Sequence, residues 1–180
     1  MYMSSMNSGS VKSVARTIKE MMDTADAASA KTNAHNALLH QMKKILADGY
    51  TLYFKAHTFH WNVEGSNFPQ YHEFFNKVYE DVYDRLDPIA EQMRSLGAYA
   101  PISLKDLLAM SSIKEASSIP SPNEMFKQLH ADNEYFIGCL TTGYKLAEAA
   151  QHIGLSNFLQ DLVDKHTKLS WMIASTSKGA

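Results

Sequence analysis

Residues 60–91 read HWNVEGSNFPQYHEFFNKVYEDVYDRLDPIAE, and the fold turns on this stretch. Counting from His72 in steps of three or four residues reaches Asn76, Tyr79 or Glu80, Tyr83, Asp87 and Glu91. Such steps stay on one face of a helix, so His72 to Leu96 is expected to be one long helix, with Gly97 as its stop. At about 1.5 Å of rise per residue, His72 and Asp87 lie about 22 Å apart along that helix. Metal bonds to imidazole and carboxylate are only about 2.0–2.2 Å long. One copy of the helix therefore cannot bring both residues to one ion. Two copies packed antiparallel about a two-fold axis near Tyr79 and Glu80 can, because His72 of one then faces Asp87 and Glu91 of the other. A two-fold interface repeats each contact, so two equivalent sites form together.

Two imidazoles and two carboxylates, with His60 as the second imidazole, suit Fe(II), Zn or Mn better than Ca or Mg. Each element is weak alone. Asp87-x-x-x-Glu91 on a helix face is also the pattern of a solvated surface, and the bland reading is a helix with unrelated polar residues on its exposed side. His57, one turn before His60, reads as a packed or exposed helix-end histidine.

The 180 residues make one domain, large enough for a real core, and 45% of them are apolar, as in a globular chain. The net charge of -2 and the pI near 6.4 argue against a strongly basic nucleic-acid binder. The single cysteine, Cys139, excludes an internal disulfide and fits a reducing cytosol. No apolar run reaches the ~18–20 residues of a membrane span, and the N-terminus has no signal-peptide core. A cytoplasmic protein with no membrane partner is expected.

Residues 1–32 form an expected mobile arm. Within it, Val11 to Ala27 could be helical, with Val14, Ile18, Met21 and Met22 on one side. Residues 33–176 carry four helical stripes. Asn33 or Asn36 would cap the first, which runs to Asn62 through Leu38, Met42, Ile45, Leu46, Tyr50 and Tyr53. Val63 to Tyr71, with Gly65, Asn67 and Pro69, reads as a turn. In the second helix Pro88, just after Asp87, is expected to kink the axis. Ser103 would cap a short helix to Met110 in the connector. Ser121-Pro122 opens the third helix, expected to reach about His152, with Gly154 as the break. The fourth runs from Ser156 to about Ala174, and residues 177–180 should fray. With no period-two segment, the expected fold is an all-α four-helix bundle with a short extra helix between helices 2 and 3.

The pattern His60-Trp61-Asn62, Gly65-x-Asn67-Phe68, His72-Glu73, Asp87-x-x-x-Glu91 and Leu96-Gly97 resembles the Dps family, the ferritin-like DNA-binding proteins from starved cells, or mini-ferritins. Ile102-Ser103-Leu104 through Ser111-Ser112-Ile113 resembles its connector helix. Asp164-Lys165-His166 through Trp171-Met172 resembles the end of its fourth helix. The likeness covers roughly residues 35–175.

The resemblance implies a ferritin-like subunit in a hollow dodecamer with ferroxidase sites between two-fold-related subunits. Such proteins oxidise Fe(II), typically with hydrogen peroxide, and store ferric mineral, which suppresses oxidative damage. Carried over, His60 and His72 would be ligands from one chain, and Asp87 and Glu91 from its partner. Trp61 would either intercept a stray oxidising equivalent or pack at the helix end.

One position departs. Where the family usually has an acid one turn after the second histidine, this chain has Asn76, a poorer ligand, so a second iron would be held weakly. Glu73, Glu80, Asp84 or a water on Asn76 are the substitutes. The fourth helix opens with Ser156 and Asn157, and Asp161 a turn later, where the family often has acids lining the path of iron. The arm's net charge of about +1 is small for gripping DNA. The competing readings are a DNA-coating cage and a structural cage holding zinc or another redox-inert metal.

Overall fold

In a computed structural model, which describes residues 8–179, the chain forms five α-helices: α1 Ser8–Asn62, α2 Phe68–Ser95, α3 Leu104–Met110, α4 Pro122–Ala149 and α5 Ile153–Thr176. Helix α1 packs on α2 and α4, α5 packs on α4, and α3 lies against α1. The four long helices form the bundle and α3 sits in the connector, as the sequence pattern implies.

The largest difference lies in α1. No cap stands at Asn33 or Asn36; the helix runs 55 residues without a break, through the boundary expected at residues 32–33. From Ser10 to Asp48 there is neither glycine nor proline, and alanines are frequent. Nothing interrupts a helix once it has begun, since alanine has the highest helix propensity. Residues 1–7 of the expected arm lie outside the described residues.

Helix α2 begins at Phe68 rather than His72. Pro69 sits in its first turn, where its missing N–H is not needed. It continues through Pro88 to Ser95, where Gly97, at φ 85°, ends it with an Ala98 N–H bond to the Met93 carbonyl of 3.1 Å. The α4–α5 break also moves. It falls at Gln151, which adopts φ 59° while the His152 N–H bonds the Ala147 carbonyl at 2.9 Å. This left-handed closure is the helix stop that glycine usually supplies. Gly154 instead lies in the first turn of α5. Ser177–Gly179 form a 3-10 turn, and Ala180 is outside the described residues.

Ser103 accepts from the Asp106 N–H at 3.1 Å, and Ser121 from that of Glu124 at 3.4 Å. The core runs the length of the bundle, from Leu38, Met42 and Ile45 to Phe59, Phe75 and Phe126. Gly143 marks its tightest crossing, where a Cβ would stand 2.8 Å from Ile45 Cδ1 and 3.3 Å from Leu159 Cδ1.

Two buried polar devices lock the helices. Asp48 is fully buried and accepts from the Ser112 N–H at 2.6 Å, the Ser111 hydroxyl at 3.0 Å and the Lys44 ammonium at 3.0 Å. It thereby ties the connector after α3 to α1. Across α4 and α5, His166 Nδ1–H donates to Asn133 Oδ1 at 2.6 Å, and Asn133 Nδ2 donates to the His166 carbonyl at 2.9 Å. Burial pushes the His166 pKa down to about 3, helped by the Arg85 guanidinium.

An imidazole held neutral in the fold still takes a proton in the unfolded chain, so stability is lost as pH falls from 6.5 toward 3. At pH 5, His166 alone should cost about 2 kcal/mol. Urea unfolding at pH 7.5 and pH 5 should show that loss in the wild type and a flatter pH dependence in His166→Gln. Equal slopes in the two proteins would count against it.

Candidate metal centre

Helix α1 ends, and α2 begins, beside a short turn in which Gly65 takes φ 110°. That turn folds His60 back onto His72. His60 Nδ1 lies 2.8 Å from the His72 carbonyl oxygen, and His72 Nδ1 lies 2.8 Å from the His60 carbonyl oxygen. A carbonyl only accepts, so each Nδ1 carries the proton and each Nε2 is left with its lone pair. The rings stack at 3.7 Å between centroids and 26° between planes. This is how proteins commonly prepare histidine ligands: a backbone acceptor on one nitrogen sets the tautomer and aims the other.

Aromatic rings enclose the pair. Phe68 lies 5.0 Å from His72, and Tyr79 meets His60 edge-on at 5.2 Å. His57 stacks on Tyr79 at 4.0 Å, and the Trp61 ring lies 4.1 Å from it on the other side. Burial, then the neighbouring His60, lower the His57 pKa. His57 is thus a packed histidine rather than part of the pair. The Tyr79 hydroxyl donates to Asn76 Oδ1 at 2.8 Å, so the amide that stands where an acid was expected is already engaged.

Trp61 is 56% exposed, so in the single chain it does not pack into the core at the helix end. It continues an uncovered aromatic surface with Phe54 and Tyr83. Asp87 and Glu91 are exposed at the other end of α2. The helix runs uninterrupted from His72 to Glu91, so one chain keeps Asp87 about 22 Å and Glu91 about 28 Å from His72 along the axis. Among the described residues, no group of three or more His, Cys, Asp or Glu gathers in one chain to hold a metal. The single chain holds the two histidines together and the two carboxylates apart from them.

The sequence reading missed Tyr79 and His57 as the walls of the histidine pair. Their signal was present: Tyr79 follows Asn76 by three residues, and His57 precedes His60 by three. Helical spacing put them on the right faces but could not say that the two faces meet.

Residues 39–178 match the ferritin-like domain family. The DNA protection during starvation protein of Brevibacillus brevis is 30% identical over 143 residues, covering 79% of this chain and 96% of that protein. The chain belongs to the Dps family. The crystal structure of antigen TpF1 from Treponema pallidum superposes with a TM-score of 0.78 at 30% identity, over 81% of this chain and 94% of that one. A Dps protein from Vibrio cholerae, described as a member of a broad superfamily of ferritin-like diiron-carboxylate proteins, shares the fold. Its TM-score is 0.76 at 24% identity, over 80% of this chain and 91% of that one. Within this Dps chain the family match begins at residue 39, inside α1. Among the described residues, no helix is long and apolar enough to cross a membrane.

Proposed function

We propose that this Dps-type mini-ferritin is a ferroxidase. It oxidises Fe(II) with hydrogen peroxide at sites shared between two copies, and stores the ferric product inside a dodecameric shell. The observation that carries the reading is the reciprocal clamp of His60 and His72, which presents two Nε2 lone pairs beside one another. Iron is the substrate. His60 and His72 of one copy and Asp87 and Glu91 of a two-fold-related copy bind it. The carboxylates offset the charge that the metal gains as Fe(II) becomes Fe(III). Two Fe(II) ions each give up one electron and peroxide accepts both, so no hydroxyl radical is released. The diiron-carboxylate description of the Vibrio cholerae relative supports the metal. The exposure of Asp87, Glu91 and the aromatic surface in the single chain supports the sharing.

Trp61, ring to ring with His57, is a donor for any stray oxidising equivalent. Asn76 brings no charge, and its oxygen already accepts from Tyr79, so the second iron of each site is held weakly.

Fe(II) oxidation followed by absorbance, with peroxide and with oxygen, tests the reading. His60→Ala and Asp87→Ala should each abolish it. Co-assembly of the two variants at equal amounts should restore about a quarter of the wild-type sites. Half of the random pairs are mixed, and each mixed pair rebuilds one intact site of two. Loss without such rescue would place all ligands in one chain.

Asn76→Asp should raise the occupancy of the second iron, read by iron titration with anomalous diffraction. Two equally full irons in the wild type would contradict the weak second position.

A further inference from the structure

Reducing peroxide to two waters takes two electrons, and one Fe(II) gives one. In the proposed ferroxidase Asn76 leaves the second iron weakly held, so a site carrying one iron is one electron short. The rings around the histidine pair contain a source for it. Tyr53 and His57 stand one turn apart on α1 and so share a face of that helix. The Tyr53 hydroxyl lies 3.2 Å from His57 Nδ1. The Tyr53 ring meets that of Tyr79 edge-on at 6.3 Å, His57 stacks on Tyr79 at 4.0 Å, and Tyr79 meets His60 at 5.2 Å. Ring contacts thus run without a break from Tyr53 on α1, through Tyr79 on α2, to the imidazole of His60.

We propose, on the ferroxidase reading of the site, that Tyr53 supplies this second electron and that His57 takes its phenolic proton. A phenol keeps its proton up to a pKa of about 10 but sheds it on losing an electron, so its oxidation is eased where a base waits at the hydroxyl. An imidazole nitrogen is such a base. Tyr79 donates instead to the Asn76 amide oxygen, too weak a base to keep a proton. Tyr144 donates to Glu148 along α4, outside this set of rings. Trp61 also touches His57, but its ring is more than half exposed, whereas Tyr53 is half-buried, with Tyr83 5.1 Å from it. A radical on Tyr53 is therefore better kept from solvent until an electron returns. The step balances. Peroxide takes one electron from the bound Fe(II), one from Tyr53 through Tyr79 and two protons from solvent, and leaves as two waters. The phenolic proton moves along its hydrogen bond to His57 Nδ1, and a neutral phenoxyl remains. The next Fe(II) returns the electron and the proton comes back from Nδ1. Two Fe(II) are consumed for each peroxide, and no hydroxyl radical escapes.

Electron paramagnetic resonance on the full chain tests it, first without iron. One-electron oxidation by a photo-excited ruthenium complex with persulfate, followed by freezing, should give a tyrosyl signal. Tyr53→Phe should remove that signal, and Tyr99→Phe, at a ring 80% exposed, should leave it. His57→Phe keeps a ring beside Tyr79 but removes the proton acceptor, and should lose the signal with its helix content unchanged by circular dichroism. A tyrosyl signal that survives in Tyr53→Phe, or a tryptophanyl signal in its place in the wild type, would overturn the proposal. The second arm loads one Fe(II) per chain and adds peroxide. The wild type should show the same tyrosyl signal on freeze-quenching. Tyr53→Phe should bind the same amount of Fe(II), show no such signal and release more hydroxyl radical to a spin trap. Iron oxidised by the wild type without a Tyr53 signal would overturn the proposal alone. Iron left unoxidised would overturn the ferroxidase reading and the proposal with it.

Discussion

The turn between α1 and α2 is held by two hydrogen bonds of 2.8 Å, each from an imidazole to the backbone of the other histidine. Most of what the chain can do follows from that exchange. It engages each Nδ1 with a backbone carbonyl and fixes both ring orientations. The His60 carbonyl lies in the last turn of α1, where carbonyls have no partner within the helix, so the His72 imidazole also satisfies one of them. The same contacts close the helix hairpin.

The second constraint is length. An unbroken α2 holds the acids away from the imidazoles, and no side-chain rotation bridges about 22 Å. A site with both ligand types needs two chains. Asp87 and Glu91 are meanwhile exposed at the surface of the single chain, where water solvates their charge. The exposed rings of Phe54, Trp61 and Tyr83 lie on the same side as the histidine pair, an apolar surface of the kind that association removes from water.

Rigidity comes from groups away from the histidine pair. Asp48 ties the connector to α1, and the Asn133–His166 exchange joins α4 to α5. Each is a hydrogen-bonded buried polar arrangement, which specifies one packing more sharply than apolar contact does. The depressed basicity of His166 is the cost of burying an imidazole beside a guanidinium.

The four helical stripes, the short connector helix with its Ser103 cap and the separation of His72 from Asp87 and Glu91 along one helix were legible from residue spacing. Periodicity and the rise of a helix are local properties. The helix ends were less so. Residue identity suggested a helix start at Asn33 or Asn36 and a stop at Gly154, but a cap matters only where the chain is otherwise ready to begin or end. Alanine-rich sequence carried α1 straight through Asn33, and Gln151 took the left-handed conformation that Gly154 was expected to supply. The sequence by itself determined which side chains share a helix face. Only the tertiary structure decided which faces meet. It placed Tyr79 against His57 and His60 and buried Asp48 under the connector, because those contacts depend on how segments distant in sequence cross, and no spacing rule within one helix encodes that.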